Sequence, residues 1–93
     1  MSHPPDRWKL DVRPRAARAL IRLPEKITAA AAEFITGPLL DNPYRVGHPL
    51  RDEYAGQHSA RRGRDWRVRY RIEEDTRTVV VFDVSHRSDI YGA

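Results

Sequence analysis

The chain contains no cysteine. This absence excludes a disulfide framework, a thiolate nucleophile and a zinc–thiolate site. No apolar run approaches the roughly 20 residues of a membrane-spanning helix. The first ten residues, MSHPPDRWKL, lack the apolar stretch of a signal peptide. We therefore expect a cytoplasmic protein without membrane association.

Several motifs of common enzyme classes are also missing. The sequence has no glycine-rich phosphate loop, no His/acid spacing typical of a metal site and no serine in a nucleophile elbow. These absences predict neither a metal nor an organic cofactor. An enzyme with this inventory would have to use arginine and histidine. Metal-free RNA cleavage fits, because the substrate's own 2′-OH attacks the adjacent phosphate and no protein nucleophile is needed.

What the chain has in excess is arginine. Its 93 residues include 15 arginines and only two lysines, and the formal net charge is +4. Arginine is the better planar partner for phosphate and stacks well on bases, which favours a nucleic-acid partner. A GC-rich coding bias would explain the choice of arginine over lysine, but it does not explain why the arginines cluster.

Hydrophobic and polar patterns predict one small α+β domain. Residues 1–7 are predicted to be a disordered tail and residues 8–93 a single domain. A strand over residues 7–13 precedes two helices, over 14–23 and 24–36, of which the second ends at Gly37–Pro38. In the first helix, Ala17, Leu20 and Ile21 are expected to face the core. Strands follow over residues 54–63, 64–72 and 78–84, so the order β-α-α-β-β-β predicts a helical hairpin packed on a small antiparallel sheet.

The stretch DWRVRYRI, residues 65–72, alternates apolar and charged residues. As a strand it places Arg67, Arg69 and Arg71 together on the face opposite Trp66 and Tyr70. Like charges that share a sheet face repel, so a row of arginines favours an anionic partner such as phosphate. The alternative is a solvated face whose arginines pair with nearby acids, namely Glu73, Glu74, Asp75 and Asp83.

A broader basic band surrounds this row. Six arginines lie between residues 58 and 71, at positions 61, 62, 64, 67, 69 and 71, and a meander would bring them beside His86 and Arg87. His58 and His86 are candidates for general acid or base, since histidine titrates near neutral pH. Surface histidines are more often inert, so both interpretations stay open. Tyr54 and Tyr91 are nearby aromatic residues.

The segment RRGRDWRVRYRIEEDTRTVVVFDVSHRSDIY resembles the C-terminal half of RelE/ParE-type toxins. That family has a basic strand, then G-D-Y-R-V-x-Y, an acidic turn, a Val-rich strand and V-x-H-R-x-x-x-Y. The segment LPEKITAAAAEFITGPLLDNPYRVGHPLRDEYAGQHSARRG is similar to the helical hairpin and linker of the actinobacterial RelE branch. The resemblance implies a type II toxin with a fold like that of microbial ribonucleases. RelE-like members cut mRNA in the ribosomal A site, and a RelB-like antitoxin neutralises them.

Site residues follow from the resemblance by position. Arg67 matches the family arginine that stabilises the scissile phosphate. Arg87, together with His86, matches the basic position of the proton donor, and Tyr91 matches the tyrosine that orients or stacks on the substrate base.

The preceding strand departs from the family pattern. Where RelE has two lysines that help to activate the 2′-OH, this chain has His58 and Ala60. The general base is therefore open at this point, although His58 is chemically suitable and a free arginine is a poor base. The remaining arginines of the band are expected to bind phosphate: Arg61, Arg62, Arg64, Arg69 and Arg71.

Three functions compete. The first is a ribosome-dependent mRNA endonuclease, which the full set Arg67, His86, Arg87 and Tyr91 favours. The second is a ParE-like toxin that inhibits DNA gyrase and has no nuclease chemistry; such members tend to lack that full set. The third is a non-enzymatic module whose basic face only binds an acidic antitoxin. All three share an antitoxin interface, so co-purification with a partner cannot separate them.

Overall fold

The structure, a computed structural model, describes residues 7–86. Helices and strands follow one another in an order close to the one predicted. A short helix, a short strand and a 3₁₀ turn are added in the proline-rich connection, residues 37–57. The elements are β1 (Lys9–Val12), α1 (Pro14–Arg22), α2 (Glu25–Thr36), α3 (Pro38–Asp41), β2 (His48–Pro49), the 3₁₀ turn Asp52–Tyr54, β3 (His58–Arg62), β4 (Trp66–Glu73) and β5 (Thr78–His86). Within residues 7–86, no helix is both long and apolar enough to cross a membrane.

The α+β class with a helical hairpin on a sheet is confirmed, with one difference in strand direction. The strands lie in the order β1-β5-β4-β3-β2. The pairs β2–β3, β3–β4 and β4–β5 are antiparallel, but β1 runs parallel to β5, so the sheet is mixed. In the chain, β1 and β5 are separated by the helices and by β2–β4, so this parallel pair has the long connection that it requires.

Both long helices pack on one face of the sheet and create a single core. Its largest fully buried side chains include Tyr70, Ile35 and Leu39. The sheet face opposite the helices, called the open face here, carries the odd-numbered residues of β4, as the alternation of DWRVRYRI predicted. On this strand the prediction of the two faces is confirmed.

The core-facing side of α1 differs from the prediction. Ala16 is fully buried and Leu23 nearly so, whereas Ile21 is 81% exposed and Ala17 is also exposed. Ala16, Leu20 and Leu23 also follow helical spacing, and all three belong to the core or pack against it. The predicted apolar face was therefore wrong by about one residue's rotation, roughly 100°.

A β-bulge in β5, a strand with apolar residues at five of its nine positions, brings an apolar residue to the open face. Arg69 pairs with Asp83 and Tyr70 pairs with Val81, which leaves Phe82 as the additional residue on β5. Val81 and Val84 consequently both remain in the core. Phe82 instead contacts the guanidinium groups of Arg69 and Arg71 on the open face.

Tyr70 fastens the proline-rich connection to the sheet. Its side chain is fully buried, and its hydroxyl donates a hydrogen bond to the carbonyl oxygen of Pro43 at 2.6 Å. Burial raises the pKa of Tyr70 to about 12, so the phenol stays protonated and keeps this donor. The connection that carries Gly47 is thereby held against β3 and β4.

Candidate functional site

Two arginines face each other across neighbouring strands of the open face. Arg61 on β3 is opposite Arg67 on β4, and Arg67 is in turn opposite Ser85 on β5. Directly opposite residues of an antiparallel pair share a face, with their Cβ atoms about 5 Å apart. Two guanidinium groups therefore rise from adjacent positions and create a strong local site for an anion.

Arg67 has an unsatisfied donor within this pair. Its side chain is half-buried, and its Nε is inaccessible to solvent and has no hydrogen-bond partner among residues 7–86. In the described part of the chain, no carboxylate forms an ion pair with Arg61 or Arg67. A buried donor without a partner carries a desolvation penalty, which a rotation of the side chain toward an acceptor such as a phosphate oxygen would relieve.

Among the described residues, the nearby acids form an ion pair only at Arg71, the end of the row, and not at Arg67 or Arg69, as the solvated-face alternative would require. Glu73 forms an ion pair with Arg71. Asp83 is 3.9 Å from a guanidinium nitrogen of Arg15 on α1, and Glu74 accepts a hydrogen bond from the Tyr44 hydroxyl. Most of the positive charge on the open face is thus left uncompensated among the described residues.

Arg69 and Arg71 are held in place by aromatic rings. Arg69 donates a hydrogen bond to the Gln57 side chain at 2.7 Å, and its guanidinium lies 4.8 Å from the centroid of the Tyr54 ring. The Arg71 guanidinium lies 5.2 Å from the centroid of the Phe82 ring. Both are cation–π geometries, which limit the conformations of two long side chains. Sequence reasoning assigned no role to Gln57 or Phe82, because one comes from a loop and the other is exposed by a bulge.

Two of the predicted phosphate-binding arginines lie elsewhere. Arg62 is opposite Trp66 on the helix side of the sheet, with its guanidinium 4.5 Å from the Phe34 ring centroid. Arg64 is exposed in the turn between β3 and β4. The structure therefore brings together Arg61, Arg67, Arg69 and Arg71 and separates Arg62 and Arg64 from them.

His58 is not on the open face. It is opposite Tyr70 on the helix side, where the two rings stack with centroids 5.6 Å apart and Tyr44 packs edge-on at 6.1 Å. Its predicted role as general base beside Arg67 does not agree with this placement, because the sheet separates the two side chains. The reason is register: pairing of His58 with Tyr70 puts both residues on the core face.

His86 also faces the helix side. It is opposite Trp66 and lines a cleft of about 650 Å³ between α1 and the end of β5, together with Arg18, Arg22 and Ser85. Arg87 and Tyr91 lie outside the described residues. Across residues 7–86, no group of three histidine or acidic side chains is arranged to hold a metal ion.

The partly buried position of His58 predicts a pH-dependent stability. Desolvation, with a smaller effect of His48, lowers the pKa of His58 from the usual 6.5. The unfolded chain then binds this proton more tightly than the folded chain, so the contribution to stability is full above pH 6.5 and falls as the pH drops toward the folded-state pKa. We expect the urea midpoint to fall more for the wild type than for His58→Phe between about pH 7 and about pH 5. Parallel pH profiles of the two proteins would contradict this prediction.

Comparisons with known proteins agree on one family. Residues 10–91 match the model of the ParE toxin of type II toxin–antitoxin systems, parDE. Over 76 residues the chain is 54% identical to Toxin RelE and 53% identical to Toxin RelG, both from Mycobacterium tuberculosis. Each match covers 82% of this chain. The matched residues are 77% of Toxin RelE and 86% of Toxin RelG.

A solved structure supports the same assignment. The crystal structure of the toxin–antitoxin complex RelBE2 from M. tuberculosis matches with a TM-score of 0.84 and 46% identity, over 87% of this chain and 99% of that chain. In this comparison, the similarity of sequence and the similarity of fold indicate the same family. The chain therefore belongs to the ParE toxin family of type II toxin–antitoxin systems, and within that family it is a RelE-like toxin.

Proposed function

We propose that this toxin is a ribosome-dependent mRNA endoribonuclease that cleaves in the A site and thereby inhibits translation. The observation that carries the proposal is the Arg61–Arg67 pair on the open face, with the Nε of Arg67 buried and lacking a partner. Such a pair suits a phosphate whose negative charge increases in the transition state. Its action at the ribosome also implies a cytoplasmic protein.

The proposed reaction needs no protein nucleophile. The ribose 2′-oxygen attacks the adjacent phosphorus, the P–O5′ bond breaks, and a 2′,3′-cyclic phosphate and a 5′-hydroxyl form. The 2′-OH transfers its proton to water, and the 5′-oxygen accepts a proton from the proton donor. Arg67, supported by Arg61, stabilises the charge on the phosphorane-like transition state, while Arg69 and Arg71 bind flanking backbone phosphates or rRNA.

Proton transfer is assigned from the resemblance and from the faces of the sheet. The family pattern gives the pair His86–Arg87 as proton donor. Since His86 faces the helix side, the proposal leaves this role to Arg87, and Tyr91 orients the substrate base. His58 is on the face opposite Arg67, so we assign it no proton transfer at the Arg67 phosphate.

An antitoxin is the proposed regulatory partner. The related M. tuberculosis toxin is found in a toxin–antitoxin complex. By analogy, a RelB-like antitoxin would neutralise this chain by covering its basic open face. Acidic residues in the antitoxin would complement the uncompensated arginines there.

Gyrase inhibition is the second candidate, because the matching family model is named for ParE. Fold alone does not determine which target a toxin has. The identities of 54% and 53% to toxins named RelE and RelG favour the nuclease.

Primer-extension mapping on stalled 70S ribosomes tests the proposal. We expect new mRNA 5′ ends in the A-site codon when the purified toxin is added, and none when the same mRNA is incubated with toxin but without ribosomes. Intact mRNA on ribosomes, combined with loss of DNA gyrase supercoiling at the same toxin concentration, would overturn the nuclease hypothesis and support gyrase inhibition. Intact mRNA and unaffected gyrase would leave only the binding module.

A further inference from the structure

Tyr54 is an exposed aromatic residue on the open face. Three large apolar side chains among the described residues are well exposed, namely Ile21, Tyr44 and Tyr54, and Tyr54 is 43% exposed. Tyr44 packs against Trp8 and His58 on the helix side. Tyr54, in contrast, lies over Arg69, within the row of arginines.

The loop that carries Tyr54 is held by its own backbone. The amide of Tyr54 donates to the carbonyl of Arg51 at 3.1 Å, and the amide of Gln57 donates to the carbonyl of Tyr54 at 3.0 Å. Asp52 adopts a positive φ of 56°, a left-handed conformation that aspartate tolerates better than most non-glycine residues and that suits a tight turn. The backbone of Tyr54 is therefore held by a tight turn whose hydrogen bonds do not involve Arg69.

Arg69 also has partners besides Tyr54. Gln57 accepts its hydrogen bond at 2.7 Å, and the Phe82 ring centroid is 6.0 Å from its guanidinium carbon. One side of the Tyr54 ring contacts Arg69, and the exposure of the residue leaves the remainder of the ring to solvent. An exposed ring inside a basic surface is the arrangement by which proteins stack the bases of single-stranded RNA.

The position of Arg69 relates this ring to the phosphate site. Arg69 is two residues from Arg67 along β4, hence about 7 Å away on the same face. That separation resembles the spacing of successive phosphates in an extended strand. We propose that Tyr54, backed by Arg69, is a stacking site for an unpaired RNA base of the nucleotide next to the phosphate bound at Arg67. This inference rests on the proposed function and adds a base contact to it.

The test combines removal of the Tyr54 ring with removal of each RNA base in turn. Binding of the full-length toxin to fluorescein-labelled RNA tetranucleotides is measured by anisotropy at low salt, with an abasic ribose at each position in turn. For the wild type we expect one position at which base removal weakens binding about 5- to 100-fold. In Tyr54→Leu this penalty should disappear, and in Tyr54→Phe, which keeps the ring, it should remain.

Controls separate stacking from a structural effect. Tyr44→Leu removes a comparably exposed ring from the other side of the sheet and should keep the base-removal penalty; thermal unfolding verifies that each variant is folded. If Tyr54→Leu weakens intact and abasic RNA equally, Tyr54 only positions Arg69 and the inference is overturned. Absence of any base-dependent binding by the wild type also overturns it.

Failure of the inference and failure of the proposed function give different results. Base-independent binding together with ribosome-dependent A-site cleavage would overturn the stacking site alone. Base-dependent binding that needs Tyr54, without any cleavage on ribosomes, would overturn the nuclease and retain the stacking site.

Discussion

We expect Arg67→Ala to slow A-site mRNA cleavage by about 100- to 1,000-fold, the usual effect of removing one preorganised charge-stabilising donor. The side chain is half-buried, stands opposite Arg61 and has a buried Nε without a partner. Its loss removes a half-buried charged group from the open face, and water that takes its place is not preorganised to stabilise the transition state. Single-turnover cleavage on programmed 70S ribosomes measures the change.

Two further variants define what Arg67 contributes. Arg67→Lys keeps the charge but lacks the planar fork and the Nε donor, so we expect an intermediate rate. Arg45→Ala removes an exposed arginine from the connection after α3 and should cleave at the wild-type rate. Cleavage by Arg67→Ala within about threefold of the wild type would contradict the assignment, since charge-stabilising groups normally contribute far more.

We expect Gly47→Ala to lower the free energy of unfolding by about 3 kcal/mol, at the upper end of typical overpacking effects. A Cβ at this position would collide with the Tyr70 hydroxyl and would lie 2.8 Å from the carbonyl oxygen of Ser59. The second group is backbone within β3, and Tyr70 is fully buried, so neither can move away cheaply. Urea denaturation followed by circular dichroism measures the loss.

A double-mutant cycle checks the cause. Tyr70→Phe alone should cost about 1–3 kcal/mol, because it leaves the buried Pro43 carbonyl without its donor. It also removes the hydroxyl that the new methyl group would meet, so the combined variant should be less destabilised than the sum of the two single variants. Strict additivity would show that the new methyl group does not meet the Tyr70 hydroxyl. A Gly47→Ala protein as stable as the wild type would show that the site has room for a Cβ.

Local patterns determined much of this protein. The alternation in DWRVRYRI is sufficient to put Arg67 and Tyr70 on opposite faces, because side chains of a strand alternate whatever its partners are. Pro24 and Gly37 similarly predicted where α1 ends and where α2 begins and ends. The resemblance read from the ordered motifs led to the RelE-like toxin family that the comparisons show.

Only the tertiary structure decided which residues share a site. The parallel direction of β1, the bulge that exposes Phe82 and the contact of Tyr54 with Arg69 all depend on pairing between distant segments. The same pairing placed His58 beside Tyr70 on the core face, away from Arg67, although the two residues are close in sequence. The physical reason is register: a strand's pattern tells which residues point the same way, but only its alignment with neighbouring strands decides which of them meet.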